Sequence, residues 1–254
     1  NRGMKVVQED AQWATVKVAA GENWHEFVLW CLGKNLGGVE NLALIPGSVG
    51  GAPIQNIGAY GVELKEVFES CEALSLNTKK IEIFTNKDCD FGYRNSIFKN
   101  RLKGQYIICS VTFKLSKSPH KLNTSYRGLS ENLEGHDSSI QSIAQAVIEI
   151  RSAKLPDPKQ IGNSGSFFKN PVIPSDQFKT LQNQYPEIPY YPDMEGNVKI
   201  PAAWFIDQLG WKGYRKMDAG VHKDQALVLV NYGNASGMEI KELAQAIQSE
   251  VSKA

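Results

Sequence analysis

The chain has 254 residues, with 28 lysines and arginines against 27 aspartates and glutamates, for a net charge of +1. At 42% hydrophobic and 22% charged, its composition fits a globular protein with a substantial core, in one large domain or two modest ones. This balance gives no electrostatic case for nucleic acid, no apolar stretch approaches the roughly 20 residues needed to span a bilayer, and no secretory pattern follows Asn1.

Ala14 to Val18 alternates as a strand does. Asn23 then stands as an N-cap before a helix that carries Trp24, Phe27, Val28 and Cys31 on one face and stops at Gly33. Residues 45–61, IPGSVGGAPIQNIGAYG, hold five glycines among the polar side chains of Ser48, Gln55 and Asn56. Glycine lets backbone N–H groups approach a ligand closely, so the segment is suited to cradling a phosphate or an extended cofactor. On its own it reads equally as a long structural loop. Residues 79–85 and 105–115 read as strands on either side of a polar segment, 88–99.

Residues 138–151 predict a helix with Ile140, Ile143, Val147 and Ile150 at core spacing, ended by the prolines of KLPDPK at 154–159. The domain boundary is expected there, giving domains 1–156 and 157–254. A second loop of small residues follows at 162–171, GNSGSFFKNP. Pro201 is placed at N1 of a helix through Trp204, Phe205 and Leu209 to Gly210. Ala226 to Val230 reads as a buried strand. Met238 to Lys253 reads as an amphipathic helix with Ile240, Leu243, Ile247 and Val251 inward. Strands and helices mix without a regular βαβ alternation, so the expected class is α+β.

Familiar nucleotide and hydrolase patterns are missing. There is no G-x-x-x-x-G-K-[ST], no G-x-G-x-x-G after a strand, and both Gly47-Ser48-Val49-Gly50 and Gly162-Asn163-Ser164-Gly165 miss the G-x-S-x-G frame. Cys31, Cys71, Cys89 and Cys109 have no C-x-x-C spacing; Cys31 and Cys109 lie in apolar runs and are expected to be buried. No metal site is expected, and a reducing cytosol is the simplest compartment. Arg94 stands beside Tyr93, either as a functional cation or as a surface arginine lying over the ring. Ser166 is a hydroxyl between Gly165 and two phenylalanines, or simply a loop serine bonded to its own backbone. Tyr126 either closes a pocket or packs. His222 has no serine or acid in a recognisable frame.

Together with the glycine segment, the motifs FGYRNSIFK (91–99), KLPDPK, GNSGSFFKNP, IPAAWFIDQLGWKG (200–213) and AGVHKDQALVLVN (219–231) resemble the UDP-N-acetylenolpyruvoylglucosamine reductases, the MurB family, of the longer form. The resemblance runs in order from about Gly21 to the end. It implies part of an FAD-binding domain of the vanillyl-alcohol-oxidase type, followed by a smaller α+β substrate-binding domain. It further implies non-covalent FAD, NADPH as hydride donor, UDP-N-acetylglucosamine enolpyruvate as substrate, a cytoplasmic monomer, and a role in peptidoglycan precursor synthesis. Matching positions assign FAD contacts to Ile45, Gly47, Gly50, Gly51, Gln55, Asn56, Gly58, Ala59, Ile108 and Arg151. Arg94 matches the arginine on the substrate carboxylate and Ser166 the proton donor. Tyr126, Lys154, Asn170, Tyr191, Lys212 and Gln225 match positions that grip the UDP-sugar.

Two family segments are not found in the chain: a glycine- and serine-rich strand and turn ahead of its start, and a strand with a Pro-Glu pair after the last helix. The expectation is therefore a sequence truncated at both ends. Two alternatives remain: an impaired fragment that binds UDP-sugars, and another flavin oxidoreductase on the same cofactor domain.

Overall fold

The computed structural model describes residues 1–135, 137–193 and 196–254, which form two compact units, Asn1–Arg151 and Ser152–Ala254. Helix α3 (Ile140–Lys154) contains the division in its last turn.

The first unit is built on a five-stranded antiparallel sheet. Its strands are β1 (Met4–Glu9), β2 (Trp13–Ala19), β5 (Phe68–Ser75), β6 (Ile81–Thr85) and β7 (Tyr106–Ser116), in the order β1-β2-β7-β5-β6. The pairing sets Val16 opposite Phe113 and Val18 opposite Val111, so one face of β2 and β7 is apolar throughout. Helix α1 (Trp24–Gly33) lays Trp24, Phe27, Val28 and Cys31 on that core. The Phe27 and Phe113 ring centroids are 4.7 Å apart, and Trp24 meets both rings edge-on. Asn23 caps α1 by accepting from the Glu26 N–H. Helix α3 buries Ile143, Val147 and Ile150 in the same core, and the short α2 (Arg127–Leu133) precedes it.

The glycine-rich segment runs across this unit as two single 3₁₀ turns, 49–51 and 53–55, and then a small hairpin of β3 (Gly58–Ala59) and β4 (Val62–Glu63).

The second unit has two small sheets. Strands β12 (Arg215–Lys216), β13 (Ala219–Val221), β14 (Val228–Asn231) and β8 (Gly162–Ser166) lie in that order. Helices α5 (Ala202–Gln208) and α6 (Gly237–Val251) complete that core around Ile206, Val221, Leu229, Leu243 and Ile247. The other sheet, β10 (Tyr191–Pro192), β11 (Asn197–Lys199) and β9 (Val172–Pro174), shares a cluster of Phe178, Val198, Ile200 and Phe205 with α4 (Ser175–Gln184).

Four expectations need correction. The small-residue segment expected as a loop contains β8, because pairing to the apolar β14 (Val228 opposite Ser166, Val230 opposite Asn163) overrides the poor strand propensity of Gly, Asn and Ser. Pro201 is not at N1 but caps α5 from an extended conformation, and the Ala202 N–H is held by Asn170 Oδ1 at 3.0 Å. The strand expected at 226–230 begins two residues later, at Val228. Cys109 is only half-buried, because the alternation of β7 turns the neighbouring Ile108 to the core instead; Cys71 and Cys89 are the further buried thiols. The helices at 24–33, 140–154 and 237–251 lie where their apolar spacing placed them.

Candidate active site

Two of the expected glycines, Gly50 and Gly58, have no spare room. A Cβ at Gly50 would lie 2.6 Å from the Ala20 side chain, and one at Gly58 would lie 2.7 Å from the Arg94 guanidinium. Close packing of the protein on itself is the reason for glycine at both positions. Gly47 is different: its φ is +117° and a Cβ there would meet nothing within 4 Å. Glycine is needed there for backbone conformation, and the space beside it is open.

The loop is anchored from one side. The Trp24 N–H donates to the Gly47 carbonyl at 3.0 Å, the Val49 N–H to Glu22 O at 2.9 Å, and the Gly50 N–H to Ala20 O at 2.9 Å. Among the described residues, the Gly47 and Ser48 amides have no protein acceptor. Two adjacent donors at an exposed turn suit an anion such as the diphosphate of FAD, so the loop fits that cofactor. Gly51 and Gln55 are exposed, and Ile45, Gly58 and Ala59 are half-buried. Ile108 is buried in the core, opposite Ala73 of β5.

Asn56 closes this segment. It is fully buried in the left-handed region at φ +44°. Its Nδ2 donates to Glu63 Oε2 at 3.0 Å and to Gly92 O at 3.1 Å, and its Oδ1 accepts from the Lys65 N–H at 3.0 Å. The Asn56 side chain is therefore fully engaged within the protein. Its backbone alone can serve a cofactor.

Through Gly92 the same network reaches Arg94, another non-glycine residue with positive φ, +51°. The Arg94 guanidinium donates to the Gly58 carbonyl, lies 5.2 Å from the Tyr93 ring centroid and stands 4.0 Å from Glu63 Oε1. A left-handed arginine held by a carbonyl, a ring and a carboxylate is fixed in direction and still part-exposed. Lys99 Nζ ties the turn further, donating to Arg94 O at 3.2 Å and to Gln55 Oε1 at 3.3 Å.

Arg151 occupies the far side of the glycine segment, with its Nε donating to the Leu44 carbonyl at 3.2 Å. Burial pulls its guanidinium below the usual arginine range, and the Tyr60 hydroxyl offsets this by bonding to it. The Tyr60 ring meets Tyr126 edge-on at 5.1 Å. Tyr126 is half exposed at the N-cap position of α2.

In the second unit the expected residues lie mostly on the surface. Ser166 ends β8 with its side chain exposed and, among the described residues, without a protein partner. Lys154 is exposed at the end of α3, and Tyr191 projects from β10 at 60% exposure. Lys212 pairs with Asp207 at 2.6 Å in an exposed ion pair, a contact weak enough to exchange for a phosphate. Asn170 has a structural role as the cap of α5. Gln225 is half-buried in the turn before β14 and accepts from the Val228 N–H through its carbonyl.

Sequence reasoning missed Glu63, Tyr60 and His25. Glu63 contacts Asn56 and Arg94, Tyr60 contacts Arg151, and His25 Nδ1 accepts from the Leu44 N–H at 3.1 Å. No spacing rule marks these positions, because their partners are distant in the chain. Among the described residues no three His, Cys, Asp or Glu side chains cluster as metal ligands, and no helix is long and apolar enough to cross a membrane.

Residues 1–83 match the profile of the FAD binding domain, and residues 157–254 match that of the UDP-N-acetylenolpyruvoylglucosamine reductase C-terminal domain. The UDP-N-acetylenolpyruvoylglucosamine reductase of Flavobacterium johnsoniae is 51% identical over 253 residues, covering 98% of this chain and 75% of that protein. The same enzyme of Amoebophilus asiaticus is 51% identical, covering 99% and 75%, and that of Pseudomonas savastanoi is 49% identical, covering 99% and 74%. The solved reductase of Thermus caldophilus superposes with a TM-score of 0.64 over 92% of this chain and 68% of its own, at 24% identity, a likeness of fold. The chain belongs to the UDP-N-acetylenolpyruvoylglucosamine reductase family.

Proposed function

We infer that this protein is an FAD-dependent oxidoreductase of peptidoglycan precursor synthesis. It reduces the enolpyruvyl ether of UDP-N-acetylglucosamine to UDP-N-acetylmuramate. About half of its residues are identical to those of curated reductases across almost its whole length, and this observation carries the reading. NADPH is the reductant, the protein is a cytoplasmic monomer, and its product serves cell-wall growth and division. Residues 1–156 hold the cofactor and residues 157–254 the substrate. Bound FAD supplies hydride chemistry, which no side chain of this protein can perform.

The residues of the chain provide binding, charge and a proton. The backbone of Ile45, Gly47, Gly50, Gly51, Asn56, Gly58, Ala59 and Ile108, with Gln55 and Arg151, holds the flavin nucleotide. The free Gly47 and Ser48 amides support this reading. Reduction of an enol ether builds negative charge on the neighbouring carboxylate, and a fixed guanidinium there gains interaction energy as the charge grows. Arg94 has this role, supported by its restrained direction. The carbon next to the carboxylate must then receive a proton, and Ser166 donates it from its unbonded hydroxyl. Tyr126, Lys154, Asn170, Tyr191, Lys212 and Gln225 grip the UDP-sugar, the lysines as point charges toward the diphosphate.

Titration of the purified full-length protein with FAD tests this reading. It should yield a yellow protein that releases its flavin on acid precipitation and is bleached by NADPH. Colourless protein that cannot be reconstituted would rule the flavin reading out.

A further inference from the structure

Leu44, directly before the glycine segment, is in the left-handed region with φ +56°, a conformation that costs an L-residue roughly 1–2 kcal/mol. Two side chains hold it there. His25 Nδ1 on α1 accepts from its N–H at 3.1 Å, and Arg151 Nε on α3 donates to its carbonyl at 3.2 Å. Pro46 has no N–H, and the next anchor is the Gly47 carbonyl, bonded to the Trp24 amide at 3.0 Å. The path of the backbone into Gly47 and Ser48 is thus set by His25, Arg151 and the first turn of α1.

Of these pins only His25 titrates near neutral pH. A backbone N–H can only donate, so Nδ1 must carry a lone pair and the ring proton sits on Nε2. A protonated ring would point N–H at N–H. We propose that His25 is a positioning residue for the cofactor loop, its neutral ring holding Leu44 in place and its protonation releasing residues 44–48 in acid.

The charged groups facing the ring are Glu26 from its own helix and Arg151 from α3. Half-burial favours the neutral ring most strongly. Glu26 opposes this, and Arg151 adds to it by repelling a second cation. The histidine therefore binds its proton less readily folded than unfolded. Its contribution is complete above the ordinary histidine value of about 6.5 and is lost as pH falls through the lower folded value.

The functional consequence rests on the FAD reading, so the test separates the two. Hydrogen exchange at the Leu44 amide and FAD affinity, followed by quenching of flavin fluorescence, are measured on the full chain at neutral and mildly acid pH. In the wild type, the protection of the Leu44 amide relative to its intrinsic exchange rate should fall on acidification and FAD affinity should fall by about tenfold, the scale expected when a half-buried N–H loses its acceptor. His25→Ala should show both effects already at neutral pH. His25→Asn, which keeps an acceptor near the Nδ1 position but does not titrate, should restore protection and flatten the pH dependence. Leu44 protection that is indifferent to pH and to His25→Ala overturns the proposal, as does a His25→Asn variant with the pH dependence of the wild type. Leu44 exchange that responds as expected in a chain that binds no FAD supports the positioning role and overturns the flavin reading instead.

Discussion

The glycine segment of the first unit and the surface residues of the second assemble polar groups in opposite ways. In the first, the side chains are committed to the protein: Asn56 makes three hydrogen bonds, Glu63 lies against Asn56 and Arg94, and Arg151 holds Leu44. What remains open is backbone, at Gly47 and Ser48. In the second unit the backbone is committed to β8, β14 and the cap of α5, while Ser166, Lys154 and Tyr191 project outward. A backbone cradle needs a rigid support because its donors cannot adjust, whereas side chains on a stable strand can meet a ligand without one. Substitutions in the first region should therefore cost stability as well as function, and those in the second should cost function alone.

The largest effect should separate the two cleanly. Ser166→Ala should slow reduction of the enolpyruvyl substrate by roughly 10²–10⁴-fold, the usual worth of a general acid, while the melting temperature and NADPH-dependent bleaching of the flavin stay unchanged. An unchanged rate of substrate reduction removes Ser166 as the donor. Arg94→Ala should lower kcat and kcat/KM together by about 10²-fold or more, the loss seen when a donor to a developing oxyanion is removed. Arg94→Lys should recover little, because it loses the planar fork that spans Gly58 and the carboxylate. A rise in KM with kcat preserved would make Arg94 a substrate anchor instead.

Asn56→Ala removes three buried hydrogen bonds at a left-handed position and should destabilise the first unit by about 3 kcal/mol, read as a shift in the denaturant midpoint. If FAD affinity changed while stability did not, the side chain would be meeting the ligand rather than holding the loop. The smallest effect lies in the second unit. Ser236 caps α6 and shares a capping box with Glu239, whose carboxyl is held below its usual range by the Ser236 backbone and hydroxyl. Ser236→Ala should cost about 1 kcal/mol in thermal unfolding and leave substrate reduction untouched.

The apolar spacing of α1, α3 and α6 was legible in the sequence, because a helix buries residues that are local in the chain. The ordered motifs made the family legible as well, and with it the FAD and C-terminal domain profiles. Tertiary structure decided what local pattern could not. Residues of low strand propensity became β8 because β14 supplied the partner, and α5 starts at Ala202 because Asn170 accepts from its N–H from 32 residues away in the chain. The glycines at 47 and 50 look alike in the sequence, yet Gly47 is required by its positive φ and lies beside open space, while Gly50 is closed against Ala20. Leu44 is held at positive φ by side chains distant in the chain, and Asn56 and Arg94 at theirs by bonds that their own side chains make to Glu63, Gly92 and Gly58. Periodicity and motif depend on neighbours in the chain. The direction of a donor, the space beside a glycine and the protonation of His25 depend on neighbours in space, and folding alone brings those together.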